Sequence, residues 1–390
     1  MELPNEALVN YVMPNNTTMA WSILVVIYPF ITGLIAGAFV VSSLSHVFKV
    51  REFKPIANFA LIMAFCFGLF AFMPLLLHLG QPQRAFNIYF TPHLTSAMSM
   101  FGYIYGSYLI LLMVEIWLIY RPHFIRRYQE TTGIQRLIWQ VLTLGVTVYH
   151  PDSEKTDQKI VAIIAGLGIP WSFALHGYVG FVFGSVKAVA WWASPLQPLI
   201  FLLSAIVSGM AMLMMAYSFI KWRTGQPCDY AMIRKLMAYL WAVFLFDVAL
   251  EVLEVSFPYY EHGYQWSVVG PLLGGPLWTP FVIIQMLILS GISVVLLGYI
   301  ILFNVTGKML LYLSNLASFM IVLEVLFMRY SMVIGGQMIS KSERGFVAYD
   351  WEIFGREGLL VCALLLAAPF FVYYFLGRVL PIFSEEDGIK

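Results

Sequence analysis

Long apolar runs separated by short polar joints organise this chain from one end to the other. Nine runs reach the ~20 apolar residues that cross a bilayer. They lie near 20–47, 55–79, 96–120, 160–185, 196–220, 233–257, 279–304, 308–332 and 358–382. In lipid every backbone polar group must be bonded within the protein, so runs of this length predict helices. The stretch 134–149 (IQRLIWQVLTLGVTVY) is shorter and is interrupted by Arg136 and Gln140. It reads as a helix lying in the interface rather than a tenth span. No connection is long enough for a soluble domain. The expectation is one polytopic all-α membrane domain over 1–390, with an N-terminal outer segment at 1–19, an inner connection at 121–159 that holds the interfacial helix, and an outer connection at 333–357.

Charge adds an orientation. With nine spans, sixteen of the 22 lysines and arginines fall on one face and six on the other. The positive-inside rule puts the N-terminus outside and the C-terminus in the cytoplasm. A tenth span at 134–149 would reverse everything after it and weaken the asymmetry. The composition agrees with a membrane protein: 61% hydrophobic and 11% charged, against about 25% charged in soluble domains. Net charge is +1, which gives no field to attract nucleic acid. Cys66, Cys228 and Cys362 are far apart, a pattern that supports neither an iron–sulfur cluster nor a disulfide framework. The acidic N-terminus lacks the basic region of a signal peptide.

Against this apolar background the polar residues inside spans stand out. The sixth span holds Asp247, Glu251 and Glu254. At about 100° per residue the three lie within about 40° of one line on a single helix face. A carboxylate at the bilayer centre costs at least about 2.5–3.5 kcal/mol, so this stripe faces protein, water or a partner. Helix-to-helix hydrogen bonding is the bland reading, and a proton or ligand site the functional one. The assumed orientation places His78, His176 and Glu324 in the same outer half, Arg329 near its edge, and Arg84 just beyond it. Glu115, near the inner end of the third span, is the exception; His46 also lies at the inner edge. His176 follows the helix-kinking Pro170 and precedes Gly177, Gly180 and Gly184. That stripe serves either close helix packing or a groove where a flat ring approaches an imidazole. His78 either caps a helix end or belongs to the site. Glu324 and Arg329, five residues apart, are about 140° apart round the helix and do not pair along one face. Trp191, Trp192, Trp266, Trp278 and Trp351 suit an outer aromatic belt or a docking face for another subunit.

Two function classes fit. A quinone-reactive subunit of an electron-transfer complex needs carboxylate and imidazole within reach of ring oxygens, because two electrons and two protons move together. A proton-coupled transporter is the alternative, although transporters favour midplane sites and inverted repeats, whereas this cluster is off-centre. Only three histidines lie within spans, too few for a two-haem cytochrome b; a single haem between His78 and His176 stays open on residue count.

Three stretches then resemble a known family. His78–Gly106 (HLGQPQRAFNIYFTPHLTSAMSMFGYIYG) is similar to the L-G-x-P-x-R element of the polysulfide reductase C-chain, or NrfD-like, family. Ile169–Ala211 and Met328–Ser340 resemble its longer branch, which includes the membrane subunits of the menaquinone reductase complex Qrc, the sulfite-reduction-associated Dsr complex and the Hmc complex. The resemblance covers about 20–380. It implies two four-helix bundles with extra helices, ten spans in all, and a prokaryotic inner-membrane subunit of anaerobic sulfur respiration rather than a stand-alone enzyme. It implies bound menaquinone as substrate, no haem or iron–sulfur cluster in this chain, and a ferredoxin-like multi-cluster partner on the periplasmic side. Further subunits of a Qrc-, Dsr- or Hmc-like complex, a multihaem cytochrome c among them, are implied as well. Carried onto this sequence, the quinone site would involve His78, Arg84, His176 and Asp247. Glu251, Glu254 and Glu324 would handle protons, with Glu115 at the inner end of a route across the membrane.

Overall fold

The computed structural model describes residues 18–93 and 95–383, so all but two residues of the expected N-terminal segment 1–19 lie outside the described residues. Among the described residues nine helices are long and apolar enough to span a membrane. They are α1 (Ile23–His46), α2 (Arg51–His78, broken at Ala71 and Phe72), α3 (Ala97–Glu130), α4 (Pro151–Gly184), α5 (Gln197–Thr224), α6 (Tyr230–Glu261), α7 (Trp278–Leu302), α8 (Gly307–Met338) and α9 (Leu359–Val379). Strand structure among these residues is confined to an isolated bridge between Ile339 and Phe346.

All nine predicted runs are helices, and the differences lie at their ends. α3 runs on to Glu130 and α4 begins at Pro151, so most of the connection expected at 121–159 is helix. α8 continues to Met338, six residues past its predicted end at 332. Hydropathy marks only the part of a helix that lies in hydrocarbon, whereas backbone hydrogen bonding carries the helix into water. The stretch 134–149 contains a ten-residue helix, Gly133–Leu142. At 1.5 Å per residue that is about 15 Å, half a bilayer. Its Ile134, Leu137, Ile138 and Val141 form an exposed apolar face, as a helix in the interface requires.

Helices α1 to α4 pack in a ring, each against the next and α4 back on α1. Helices α5 to α8 repeat the arrangement. The two four-helix bundles meet where α1 touches α5 and α8 and where α4 touches α5; α9 packs outside, on α2 and α1. α1 is buried over nearly its whole length. It reaches α5 through facing glycines: a methyl added at Gly209 would come within 2.5 Å of the Gly37 Cα. Without a hydrophobic force between helices in lipid, such close backbone approach is a main source of association.

Contacts between connections separate two faces. On the lysine- and arginine-rich face Arg121 pairs with Asp157 at 2.9 Å, His123 meets the Val379 carbonyl, and Arg234 donates to Asn304. On the opposite face Trp191 and Trp192 donate to the carbonyls of Ser331 and Met332 at 3.0 and 2.6 Å, and Gln265 donates to Ala190. Trp191 and Trp192 are buried, which removes them from the expected aromatic belt. Their large flat rings instead close that end of the inter-bundle seam, with Trp192 lying directly on Gly336. Trp278 and Trp351 are exposed.

Candidate functional site

Among the described residues the second bundle holds a close group of three buried acids. Asp247 and Glu251, four residues apart on α6, project into it, and Glu324 meets them from α8. One carboxylate oxygen of each lies within 4.8 Å of the others, and all three residues are buried. α7 supplies the fourth wall. Over Trp278–Ser290 it is a π-helix, then continues as α-helix from Gly291. π-Helical turns are rare and frequent at functional sites. Here the wider register puts Gln285 and Ser290 on one face, and Ser290 donates to the Gln285 carbonyl at 2.9 Å. The Gln285 amide donates to Glu251 Oε2 at 2.7 Å. Both Asp247 oxygens and Gln285 Oε1 have no hydrogen-bond partner among the described residues. Buried polar atoms without partners are costly and uncommon, so the cluster retains unused acceptors and carboxyl groups placed to share protons.

Glu254, one turn further along α6, sits at the rim. It accepts from Ser194 Oγ at 2.8 Å and from Gln197 Nε2 at 3.3 Å. Between Glu251 and Glu254 lies a cavity of about 30 Å³, lined also by Trp191, Phe281 and Ser331. That is room for water and not for a ring.

Arg329 and His176 lie beside this cluster, at the seam between the bundles. Arg329 is wholly buried. Its guanidinium stacks 4.0 Å over the Phe201 ring, and it donates to Ser204 Oγ at 2.6 Å and to the Phe201 carbonyl at 3.3 Å. It also meets His176 Nε2 at 3.0 Å. A guanidinium only donates, so Nε2 accepts and the ring proton sits on Nδ1. That Nδ1 has no partner among the described residues. Gly33 of α1 makes room for the ring: a methyl there would lie 3.3 Å from His176 Cε1. Among the described residues Arg329 forms no ion pair with a carboxylate. It places a positive charge near the three acids without quenching any one of them.

The structure therefore brings together Asp247, Glu251, Glu324 and, through Arg329, His176, with Glu254 at the rim. His78 and Arg84 lie apart. His78 ends α2 in a 2.9 Å contact with Glu357, beside Ser22 Oγ at 3.2 Å, and pins the approaches to α1 and α9 together. Arg84 is exposed in a short turn at Pro82–Arg84 and makes no ion pair among the described residues. Glu115 is buried in the first bundle, where its Oε1 lies 3.5 Å from His46 Nδ1, itself 3.3 Å from Ser42 Oγ. Of the glycines after His176, Gly180 and Gly184 serve packing: methyls there would meet the carbonyls of Gln197 and Ser194 at 2.5 and 2.6 Å.

Gln285 and Ser204 are contacts of the cluster that sequence reasoning did not name; Arg329 and Trp191 were named there, but at the membrane edge and in an aromatic belt or docking face rather than in the site. Ending α8 at 332 put Arg329 at the membrane edge; the helix continues about two and a half turns beyond it. Gln285 carried a readable signal, being the only amide in an otherwise apolar span.

A family model described as polysulphide reductase, NrfD, matches residues 12–341. The chain belongs to the NrfD family. Curated relatives agree. The C subunit of a selenate reductase from Mesobacillus selenatarsenatis is 31% identical over 326 residues, 81% of this chain and 73% of the relative. An Hdr-like menaquinol oxidoreductase integral membrane subunit from Archaeoglobus fulgidus is 25% identical, over 70% of this chain and 60% of its own length. Protein NrfD of Escherichia coli is 25% identical over 51% of this chain and 60% of its own. The NrfD match spans α1 to α8 and takes in every residue of the buried cluster.

Proposed function

We propose that this NrfD-family chain is the quinone-interacting membrane subunit of a respiratory electron-transfer complex. The observation that carries the reading is the buried meeting of three carboxyl groups with an arginine–histidine pair. A menaquinol oxidoreductase subunit among the relatives supports the choice of menaquinone. When bound, the quinone supplies the two-electron, two-proton chemistry. The chain supplies proton handling: the free Nδ1–H of His176 as a donor, and Asp247, Glu251 and Glu324 as neighbouring groups that exchange protons. The residues fit that role. The cavity of about 30 Å³ does not admit a ring, so the acids serve the ring from beside it rather than enclose it. Glu251, the water-sized cavity and Glu254 form the link from Asp247 toward the nearer membrane face. His78 and Arg84 take supporting positions at that face, His78 through Glu357.

In this reading the same face is periplasmic, by the lysine and arginine count, and the C-terminus is cytoplasmic. Exposed Tyr260, Tyr264, Trp351 and Phe354 give an aromatic surface for a ferredoxin-like iron–sulfur partner of a Qrc-, Dsr- or Hmc-like complex. Glu115 and His46 form the inner end of a proton route. No observation favours the transporter alternative: the backbones of α1 and α5 meet at Gly37 and Gly209, across the seam where one bundle would have to rock on the other. The test is quinol-linked turnover of the purified complex carrying Asp247→Asn, with the presence of every subunit checked. Loss of a general acid or base costs on the order of 10²-fold or more; unchanged turnover in an assembled complex removes Asp247 from the site.

A further inference from the structure

A second large feature lies away from the buried cluster. Between α5 and α9 runs an open cavity of about 1170 Å³, above the ~300–1,000 Å³ of ordinary small-ligand pockets. α9 packs on α2 and α1 but stands off α5, and Phe30, Leu34 and Phe67 floor the gap. Its walls are apolar along Met212, Met215, Ala216 and Phe219 on α5 and along Leu366, Phe370 and Tyr373 on α9. Its polarity is concentrated at one end, where Arg223 and Thr224 close α5 and Arg378 closes α9. From Met212 to Thr224, and from Leu366 to Arg378, the groove extends about 18 Å at 1.5 Å per residue. Half of a ~30 Å hydrocarbon core is about 15 Å. The groove is thus one leaflet deep, greasy at the bilayer middle and basic at the headgroup level.

The arginines suit a bound anion. Arg378 lies over the Tyr374 ring at 4.6 Å and donates to its hydroxyl, so its fork is held in place. Neither Arg223 nor Arg378 is ion-paired among the described residues. Two guanidiniums at the mouth of an acyl-sized groove match a phosphate carried on lipid tails, and basic pockets between helices are a recognised way of holding anionic headgroups.

We infer that the α5–α9 groove is a binding site for one anionic phospholipid of the leaflet on the lysine- and arginine-rich face. Arg223 and Arg378 hold its phosphate and the apolar walls take its acyl tails. The inference is independent of the quinone reading.

The purified chain in its complex is moved into nanodiscs of phosphatidylcholine containing a minor fraction of phosphatidylglycerol. Retained lipid is then extracted and quantified by mass spectrometry after delipidating washes. Wild type should retain phosphatidylglycerol at about one per protein. Removing both charges (Arg223→Ala with Arg378→Ala) should weaken retention about 30-fold, at about fivefold for each basic contact, while Lys at both positions keeps most of it. Ala216→Trp, which fills the groove without changing charge, should expel the lipid from an assembled complex. Equal retention of phosphatidylcholine, a quinone as the retained molecule, or unchanged retention in the double variant overturns the assignment.

Discussion

The two four-helix bundles share one architecture and differ in what they bury. In the second, Asp247, Glu251, Glu324 and Gln285 converge, with Arg329 and His176 at its border. In the first, Glu115 and His46 form a single pair beside Ser42. A lone buried acid with an imidazole can pass one proton. A cluster with several acids, a fixed positive charge and unused acceptors can take up and redistribute more than one. On the proposed reading the two-proton chemistry belongs to the second bundle, and the first is a relay at most. The π-helical stretch of α7 bears on the same cluster: it holds Gln285 and Ser290, five residues apart, on one face, where α-helical spacing would part them by about 140°.

The largest expected effect comes from the residue that joins the two bundles. Arg329→Ala removes a buried guanidinium and leaves His176 Nε2, Ser204 and three acids without their positive neighbour. Breaking a buried charged network costs about 3–5 kcal/mol, so thermal unfolding of the purified complex should start at clearly lower temperature and quinol turnover should vanish. Arg329→Lys restores the charge but not the fork that spans Ser204 and His176, and should recover stability only in part. A smaller loss is expected at His176→Ala. A quinone-site inhibitor that uses the Nδ1–H should bind roughly tenfold more weakly, as for one charge-assisted or buried hydrogen bond; undiminished binding would count against His176 as a donor.

Glu115→Gln sharpens the comparison in the opposite sense. Detergent-solubilised turnover should stay within about twofold of wild type, because the second bundle is intact. Any deficit should show in liposomes, as fewer protons moved per quinol. Equal loss in both assays would place Glu115 in the quinone chemistry itself. The smallest effect belongs to His78→Ala. It removes contacts to Glu357 and Ser22 at a partly exposed helix end, worth about 1 kcal/mol or less, and turnover should be nearly unchanged. A hundredfold fall would return His78 to the site.

Much of this was legible in the sequence. The nine apolar runs are, among the described residues, nine helices long and apolar enough to span, because the bilayer forces backbone hydrogen bonds inside each helix. The stripe of Asp247, Glu251 and Glu254 was legible from helical periodicity alone. What meets that stripe was not. Glu324, five residues from Arg329 on α8, turns toward Asp247 and Glu251, and that depends on how α8 is rotated against α6. Gln285 meets Glu251 from a stretch of α7 that leaves the α register, which no apolar pattern records. Arg329 was read near a helix end because hydropathy ended its helix at 332, whereas the helix runs on to Met338. His78 and His176, alike as histidines at similar depth, go to different surroundings, one to Glu357 at the surface and one to Arg329 in the seam.

The central claim is that quinone is served by the second bundle and its border with the first. A photoreactive azidoquinone, bound to the purified complex and illuminated, reports this directly when labelled peptides are mapped by mass spectrometry. The account predicts labels on α4 near His176 and on α6 and α8 near Asp247 and Arg329, competed away by menaquinone. Competable labelling confined to α1 and α3 around His46 and Glu115 would contradict it.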